Sequence, residues 1–274
     1  MSQMNNRIIA VNTNCYHGYS IEDTLEGIAA AGFHYVELTA TKGWTEHVFP
    51  DQSFAQLCTV KDQLERLHLI PFSLSGHTNL MDTERLPDFI MNMRLANFFG
   101  CDYIVSSIGE AHLKDNAVAS NELLASNIRS LLPHLEKYGL KLVLELHGDH
   151  STGTIMKEIV DLVHSPLVKI NYDTANCVFY GDVDAAEDMD TCLSDIAYLH
   201  IKDKAGERRE WNFPALGEGY VDFETIFQKL EQAHNNAPLS IEIEFTPKGA
   251  GSLENVNQAI QTSAAYLIGL GFEL

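Results

Sequence analysis

Residues 141–176 read KLVLELHGDHSTGTIMKEIVDLVHSPLVKINYDTAN. KLVLEL and VKINYD are short apolar runs of strand character. Between them TIMKEIVDLVH repeats its apolar residues at three- and four-residue steps, the period of one helix face. A strand, a helix and a second strand in so short a span form a βαβ unit, whose strands run parallel.

The same alternation fills the chain outward from this unit. Further strands are expected at RIIAVNT near residue 9, HYVELT near 36, IPFSLS near 72, DYIVSS near 104, AYLHIK near 199 and LSIEIE near 241. Helical patterns intervene: 20–33, opened by Ser20 as N-cap and closed at Gly32, then 54–69, 86–100, 121–139, 185–196, 222–234 and 255–271. Pro133 predicts a kink or break in the fourth of them. Eight strand–helix units of about 34 residues predict a single (β/α)8 TIM barrel over residues 1–274. The competing architecture, a doubly wound open sheet, lacks the G-x-G-x-x-G that its first turn would carry.

Composition narrows the function classes. The chain has 274 residues with 38 acidic and 18 basic side chains, a net charge of −20. That field repels a phosphate backbone, so a nucleic-acid partner is not expected. No apolar run reaches the length of a membrane span. The opening MSQMNNRIIAVNTN lacks the basic and apolar regions of a signal peptide, so the cytoplasm is the expected compartment. Cys15, Cys58, Cys101, Cys177 and Cys192 are odd in number and contain no CxxC, which reads as reduced thiols rather than disulfides or structural zinc. Apolar helix faces are compatible with a homo-oligomer.

A barrel of this kind carries its site at the carboxyl ends of its strands. Those ends offer Glu145 and His147, Asn171 and Asp173, His200 and Lys202, and Ser240, Glu242 and Glu244. Alternation puts each group on one face, opposite the leucines and isoleucines between them. Carboxylates gathered in a barrel mouth repel and are costly to bury. A divalent cation relieves that cost, and three carboxylates with one imidazole form a hard donor set.

The pattern LELHGD, YDTAN, LHIKD, LGEGYVDF and LSIEIE resembles the xylose-isomerase-like TIM barrels, a superfamily of sugar isomerases, epimerases, 2-keto-inositol dehydratases and endonuclease IV. The resemblance covers nearly the whole chain and is densest over 141–247. It implies one divalent ion, Mn²⁺ favoured over Co²⁺, Mg²⁺, Fe²⁺ or Zn²⁺, on Glu145, Asp173, His200 and Glu242. Glu244 is the less favoured alternative to Glu242, because the family's ligand follows the Ser240-Ile241 pair. The resemblance also implies that Glu145 and Glu242 move protons.

The chain departs from the epimerase pattern D-x-x-H after strand six, where it has Asp173-Thr174-Ala175-Asn176. Asn176 can hydrogen-bond a hydroxyl but cannot serve as an acid or base near neutral pH. This argues against a ketose 3-epimerase and, with the absence of histidine from 201 to 218, against endonuclease IV chemistry.

The remaining candidates each have a plainer reading beside the functional one. His77 and His147 are expected to contact substrate, or else to support a carboxylate ligand. Lys202 binds a substrate oxygen or pairs with an acid. Arg208 contacts substrate from the loop after strand seven or is a solvated charge. Glu37 orients other site groups or is simply paired. Trp44 and Trp211 wall the site or pack their loops. The turn 248–252 holds a phosphate or is a flexible turn capped by Ser252.

The expected function is a divalent-metal-dependent isomerase or epimerase of a small keto-sugar or hydroxy-ketone, working by proton transfer next to a carbonyl through an enediolate. The alternative is a metal-dependent dehydratase of a keto-sugar or keto-inositol. A non-catalytic sugar-binding barrel predicts missing ligands, and phosphoester cleavage predicts further metal histidines.

Overall fold

Alternation along each strand decides what faces the barrel axis and what faces the helices. The computed structural model describes residues 7–115 and 117–274; Met1–Asn6, the start of the stretch read for a leader, lie outside the described residues. The eight expected strands are β1 Ile9–Asn12, β2 Tyr35–Thr39, β3 Ile70–Ser75, β4 Tyr103–Ser106, β5 Lys141–Glu145, β6 Val168–Asp173, β7 Ile196–Ile201 and β8 Leu239–Ile241. They pair in parallel in chain order, and β8 closes on β1 through Ile9–Leu239, Ala10–Ser240 and Val11–Ile241. The ring is closed, so the open sheet is excluded.

The helices are α1 Ile21–Ala30, α2 Phe54–Arg66, α3 Leu86–Phe99, α4 Asn121–Tyr138, α5 Gly153–Val163, α6 Asn176–Phe179, α7 Ala185–Asp188, α8 Phe223–Gln232 and α9 Leu253–Gly269. Outward strand residues such as Leu142, Leu144, Ile170, Leu199 and Ile201 are fully buried against them in one continuous core. Truncating one of these leucines to alanine costs about 2–5 kcal/mol. Inward residues Phe72, Val105, Val143 and Tyr198 fill the lower barrel and form the floor beneath the site. Among the described residues no helix is long and apolar enough to cross a membrane.

Local chemistry sets the helix ends. The Ser20 hydroxyl accepts from the Asp23 amide at 3.1 Å, and Ser252 caps α9 through the Asn255 amide at 3.2 Å. Two expectations are corrected. Pro133 does not break α4, which runs through it. Pro133 faces solvent, where water can satisfy the carbonyl four residues earlier. The single helix expected over 185–196 is instead α7 followed by two 3-10 turns, Met189–Thr191 and Leu193–Asp195. There the Thr191 hydroxyl bonds the Asp188 carbonyl at 2.8 Å, and the Asp188 carboxylate takes the Gly153 amide and the Tyr172 hydroxyl. Such side-chain bonds compete with helix continuation.

Candidate metal centre

Each donor of the candidate centre is set by a strand end and by a neighbour that occupies its other polar atom. Glu145 closes β5, Asp173 closes β6, His200 lies on β7 and Glu242 directly follows β8. All four are buried, and one donor atom from each lies within 4.8 Å of the others.

Asp173 Oδ1 accepts the amides of Ala175 at 2.9 Å and Asn176 at 2.7 Å, which leaves Oδ2. Glu145 Oε1 accepts from Asn176 Nδ2 at 3.0 Å, which leaves Oε2. His200 Nε2 lies 3.0 Å from Glu37 Oε1. A carboxylate only accepts, so the Nε2 proton points to Glu37 and Nδ1 is left with its lone pair. Glu145 Oε2, Asp173 Oδ2 and His200 Nδ1 are all buried without a hydrogen-bond partner. His200 Nδ1 faces Glu145 Oε2 at 3.3 Å, Glu242 Oε2 at 3.7 Å and Asp173 Oδ2 at 4.0 Å.

An unsatisfied buried polar atom costs about 1–3 kcal/mol, and more when charged. Three aimed at one point, beside a fourth carboxylate, fit a divalent cation with oxygen and imidazole donors.

The electrostatics point the same way. Five carboxylates (Glu37, Glu145, Asp173, Glu242 and Glu244) crowd the mouth, with Lys202 as the ammonium among them. Burial pushes the Asp173 carboxyl up, and Glu145 and Glu242 add to this against the pull of Lys202. Burial would also raise Glu145, but the His200 and His77 imidazoles outweigh it and hold that carboxyl low. Burial would lower His200, yet Glu37, Glu145 and Glu242 hold it well above its ordinary range.

The other expected residues fall in three groups. His77 stands beside the centre: the Ser107 amide donates to Nδ1 at 2.8 Å, and Nε2 lies 3.3 Å from Glu145 Oε2. His147 lines the same chamber, 3.5 Å from the Tyr180 hydroxyl, its imidazole pushed down to about 4 by burial. Lys202 Nζ bonds Glu242 Oε2 at 3.2 Å, pairs closely with Glu244 and reaches Asn176 Oδ1 at 3.4 Å. Asn176 is buried, and its amide donates to both Glu145 and the Leu146 carbonyl. Trp44 and Trp211 line an adjoining cavity together with Lys248, Gly249 and Ala250. Arg208 is not brought to the centre: it is exposed, bonds the Val183 carbonyl at 3.1 Å and faces Asp182 at 3.6 Å.

Sequence reasoning missed four contributors. Asn12 donates to both Glu37 and Glu242, and Asn14 to Glu242 and Glu244. Asn12 ends β1 on its inward face, so alternation could have found it. His17 and His112 stack on the two faces of Trp44, with ring centroids 3.8 and 3.9 Å away. They lie in loops after different strands and leave no periodic signal.

The family model for xylose isomerase-like TIM barrels matches residues 25–268. An inosose dehydratase of Clostridium perfringens is 27% identical over 152 residues, which is 48% of this chain and 50% of that protein. The matching stretch thus spans about half the length of that curated relative. A D-allulose 3-epimerase from Methylomonas sp. superposes with a TM-score of 0.73 at 20% identity, covering 98% of this chain and 99% of the other. A xylose isomerase-like TIM barrel protein from Mycobacterium smegmatis, in complex with magnesium, gives 0.74 at 17% identity, covering 98% and 99%. At these identities the two solved structures share the fold.

Proposed function

The chain belongs to the xylose isomerase-like TIM barrel family, and from that premise we propose that it is a divalent-metal-dependent isomerase or epimerase of a small keto-sugar or hydroxy-ketone. The observation that carries the reading is the convergence of three unpartnered buried atoms, on Glu145, Asp173 and His200, beside the Glu242 carboxylate. These four residues would hold the ion, Mn²⁺ being favoured. When bound, it would polarise the carbonyl and neighbouring hydroxyl oxygens of the substrate.

The chain's own groups supply the proton traffic. Glu145, held ionised by His200 and His77, takes the proton from the carbon next to the carbonyl. Glu242 approaches from three strands further round the barrel and returns a proton from its own side. Return to the neighbouring carbon gives isomerisation; return to the opposite face of the same carbon gives epimerisation. Lys202 offers its ammonium to a substrate oxygen, and His77 and His147 bind hydroxyls on the Glu145 side. Asn176 holds Glu145 in place.

The sequence relatives favour a second reading. The curated proteins matched over half their length are named inosose dehydratases, and dehydration begins with the same proton removal. The β-hydroxyl then leaves as water.

The test is metal content after purification without added metal, with a Glu145→Gln/Asp173→Asn double variant alongside. About one ion per chain, absent from the variant, supports the centre. Keto-sugars and inositol ketones are then screened for exchange of the α-proton with solvent deuterium, and a product lighter than its substrate by one water marks the dehydratase. No ion after addition of Mn²⁺ or Co²⁺ would overturn both readings.

A further inference from the structure

Two spaces of unequal size meet at the barrel mouth. The inner chamber, against Glu145, Glu242 and Lys202, has a volume of about 20 Å³. That is room for about one water. The outer cavity, between the loops after β1, β7 and β8, has a volume of about 690 Å³. Asn14, Trp44, His112 and Glu244 line both spaces. A hydrated cation or a sugar fits the outer space and not the inner one, so what separates them governs access to the centre.

The partition is a stack of rings from three loops. Trp44 lies between His17 and His112 at interplanar angles of 5° and 13°. His17 is exposed, while Trp44 and His112 are half-buried. Ring contacts of this kind are weak enough to part without unfolding the protein. The indole N–H, the one polar group of the Trp44 ring, donates to Asn14 Oδ1 at 2.9 Å.

Asn14 commits its whole carboxamide to this junction. Oδ1 also accepts from the Thr45 hydroxyl at 2.8 Å, and Nδ2 donates to Glu242 Oε1 and Glu244 Oε1, each at 3.3 Å. An indole only donates and the Glu242 carboxylate only accepts, so the amide cannot flip. One end of the side chain therefore holds the ring and the other holds Glu242. Asn12 Nδ2 donates to the same Glu242 Oε1 at 3.1 Å, which turns Oε2 toward Lys202 and His200. Displacing Asn14 releases Trp44 and loosens Glu242 together.

Building on the metal-dependent reading above, we propose that Trp44 is a gate over the centre and that Asn14 is a positioning residue with two tasks, latching this gate and orienting Glu242. An entering cation or sugar first draws the indole away from Asn14, and the ring turns into the outer cavity.

The test uses the full chain and Co²⁺. A gate open in about a tenth of molecules or fewer limits entry and exit alike. Trp44→Ala should therefore raise the rate of Co²⁺ uptake and the rate of its extraction by excess EDTA about tenfold or more each, with equilibrium affinity unchanged. Trp44→Phe keeps the stack and lacks the N–H. It should speed both steps to a smaller extent, and it serves where the alanine variant does not fold. Asn14→Ala should speed both steps and also weaken Co²⁺ binding about tenfold, because Glu242 loses a partner. Trp211→Phe leaves Trp44 as the sole tryptophan of the chain. In that background Asn14→Ala should raise acrylamide quenching of the metal-free protein about twofold or more, as the ring leaves its stack. Parent rates in the folded Trp44 variants overturn the gate, as does faster extraction without faster uptake. Unchanged quenching in Asn14→Ala overturns the latch, and unchanged affinity overturns its hold on Glu242. A chain that takes up no Co²⁺ sinks the metal-dependent reading, and the quenching alone then decides gate and latch.

Discussion

His200 Nε2 lies 3.0 Å from Glu37 Oε1, although the two residues sit on β7 and β2, on different sides of the barrel. Glu37 is itself held by the Tyr198 hydroxyl at 2.8 Å, Ser73 at 3.3 Å and Asn12 at 3.2 Å. It thus fixes both the tautomer and the plane of the imidazole and leaves Nδ1 facing the three carboxylates. Partners of this kind govern ligand basicity as well as orientation.

Glu37→Gln should therefore weaken metal binding by about 10–100-fold while the protein stays folded. Competition against a chelator of known affinity, with circular dichroism as the folding control, measures this. An unchanged affinity would reduce Glu37 to a buried structural acid.

Metal uptake should release protons. Burial, with Glu145 and Glu242, raises the Asp173 carboxyl in the metal-free protein, and the surrounding carboxylates raise His200 despite its burial. Both groups must be deprotonated to bind metal. The sign follows from linkage. Groups whose folded pKa is raised contribute stability below their unfolded values and lose it as pH climbs through the folded ones. The metal-free protein should lose stability as pH rises from about 4 through 8, the span over which the unfolded and then the folded Asp173 carboxyl ionise, and the stabilisation by Mn²⁺ should grow over the same window. Calorimetric titrations in buffers of different ionisation enthalpy count the protons, and a value of zero at pH 7 contradicts the account.

Much of this arrangement is legible in a single chain because barrels translate period into position. The inward set Tyr198, His200 and Lys202 and the outward set Leu199 and Ile201 follow from alternation alone. The pairing of Glu37 with His200 does not, because it depends on how the ring closes, and a register shift between Val36 and Glu37 adds to the difficulty. Loop contributions were the least readable. The His17–Trp44–His112 stack joins three loops whose spacing carries no pattern. The place of Arg208 after β7 predicts a substrate contact, but the loop turns it to solvent beside Asp182.

Lys202 separates charge balance from chemistry. Its ammonium is buried, pairs with Glu242 and Glu244, and lies 4.5 Å from the centre of the Phe213 ring. Lys202→Met keeps the stem and removes the charge. The metal-free variant should lose about 3–5 kcal/mol, the usual cost of breaking a buried pair from one side. The metal-loaded variant should recover part of this, keep about one ion per chain, and lose 10²-fold or more in kcat if Lys202 serves the substrate. Denaturant titrations with and without Mn²⁺, together with turnover, divide the two roles. Full turnover in the loaded variant would leave Lys202 a purely structural charge.

Asp203 organises the wall that carries Trp211. Two residues past the end of β7, its buried carboxylate accepts the amides of Lys204, Gly217, Gly219 and Val221, at 2.8, 2.9, 2.8 and 3.2 Å. The loop folds back on one side chain, and Gly219 lies so close that a Cβ there would sit 2.2 Å from Asp203 Oδ1. Asp203→Asn keeps one accepting oxygen and turns an NH₂ toward amides that also donate. Two hydrogen bonds to a charged acceptor are lost, so stability should fall by about 3 kcal/mol. The loosened loop exposes its backbone at Arg208 and Arg209, and trypsin should cut there in the variant well before it cuts the parent. Because Trp211 lines the outer cavity, its fluorescence should shift in the same variant while metal stoichiometry is unchanged. Parent-like proteolysis and emission would mean that the loop holds its shape without the carboxylate.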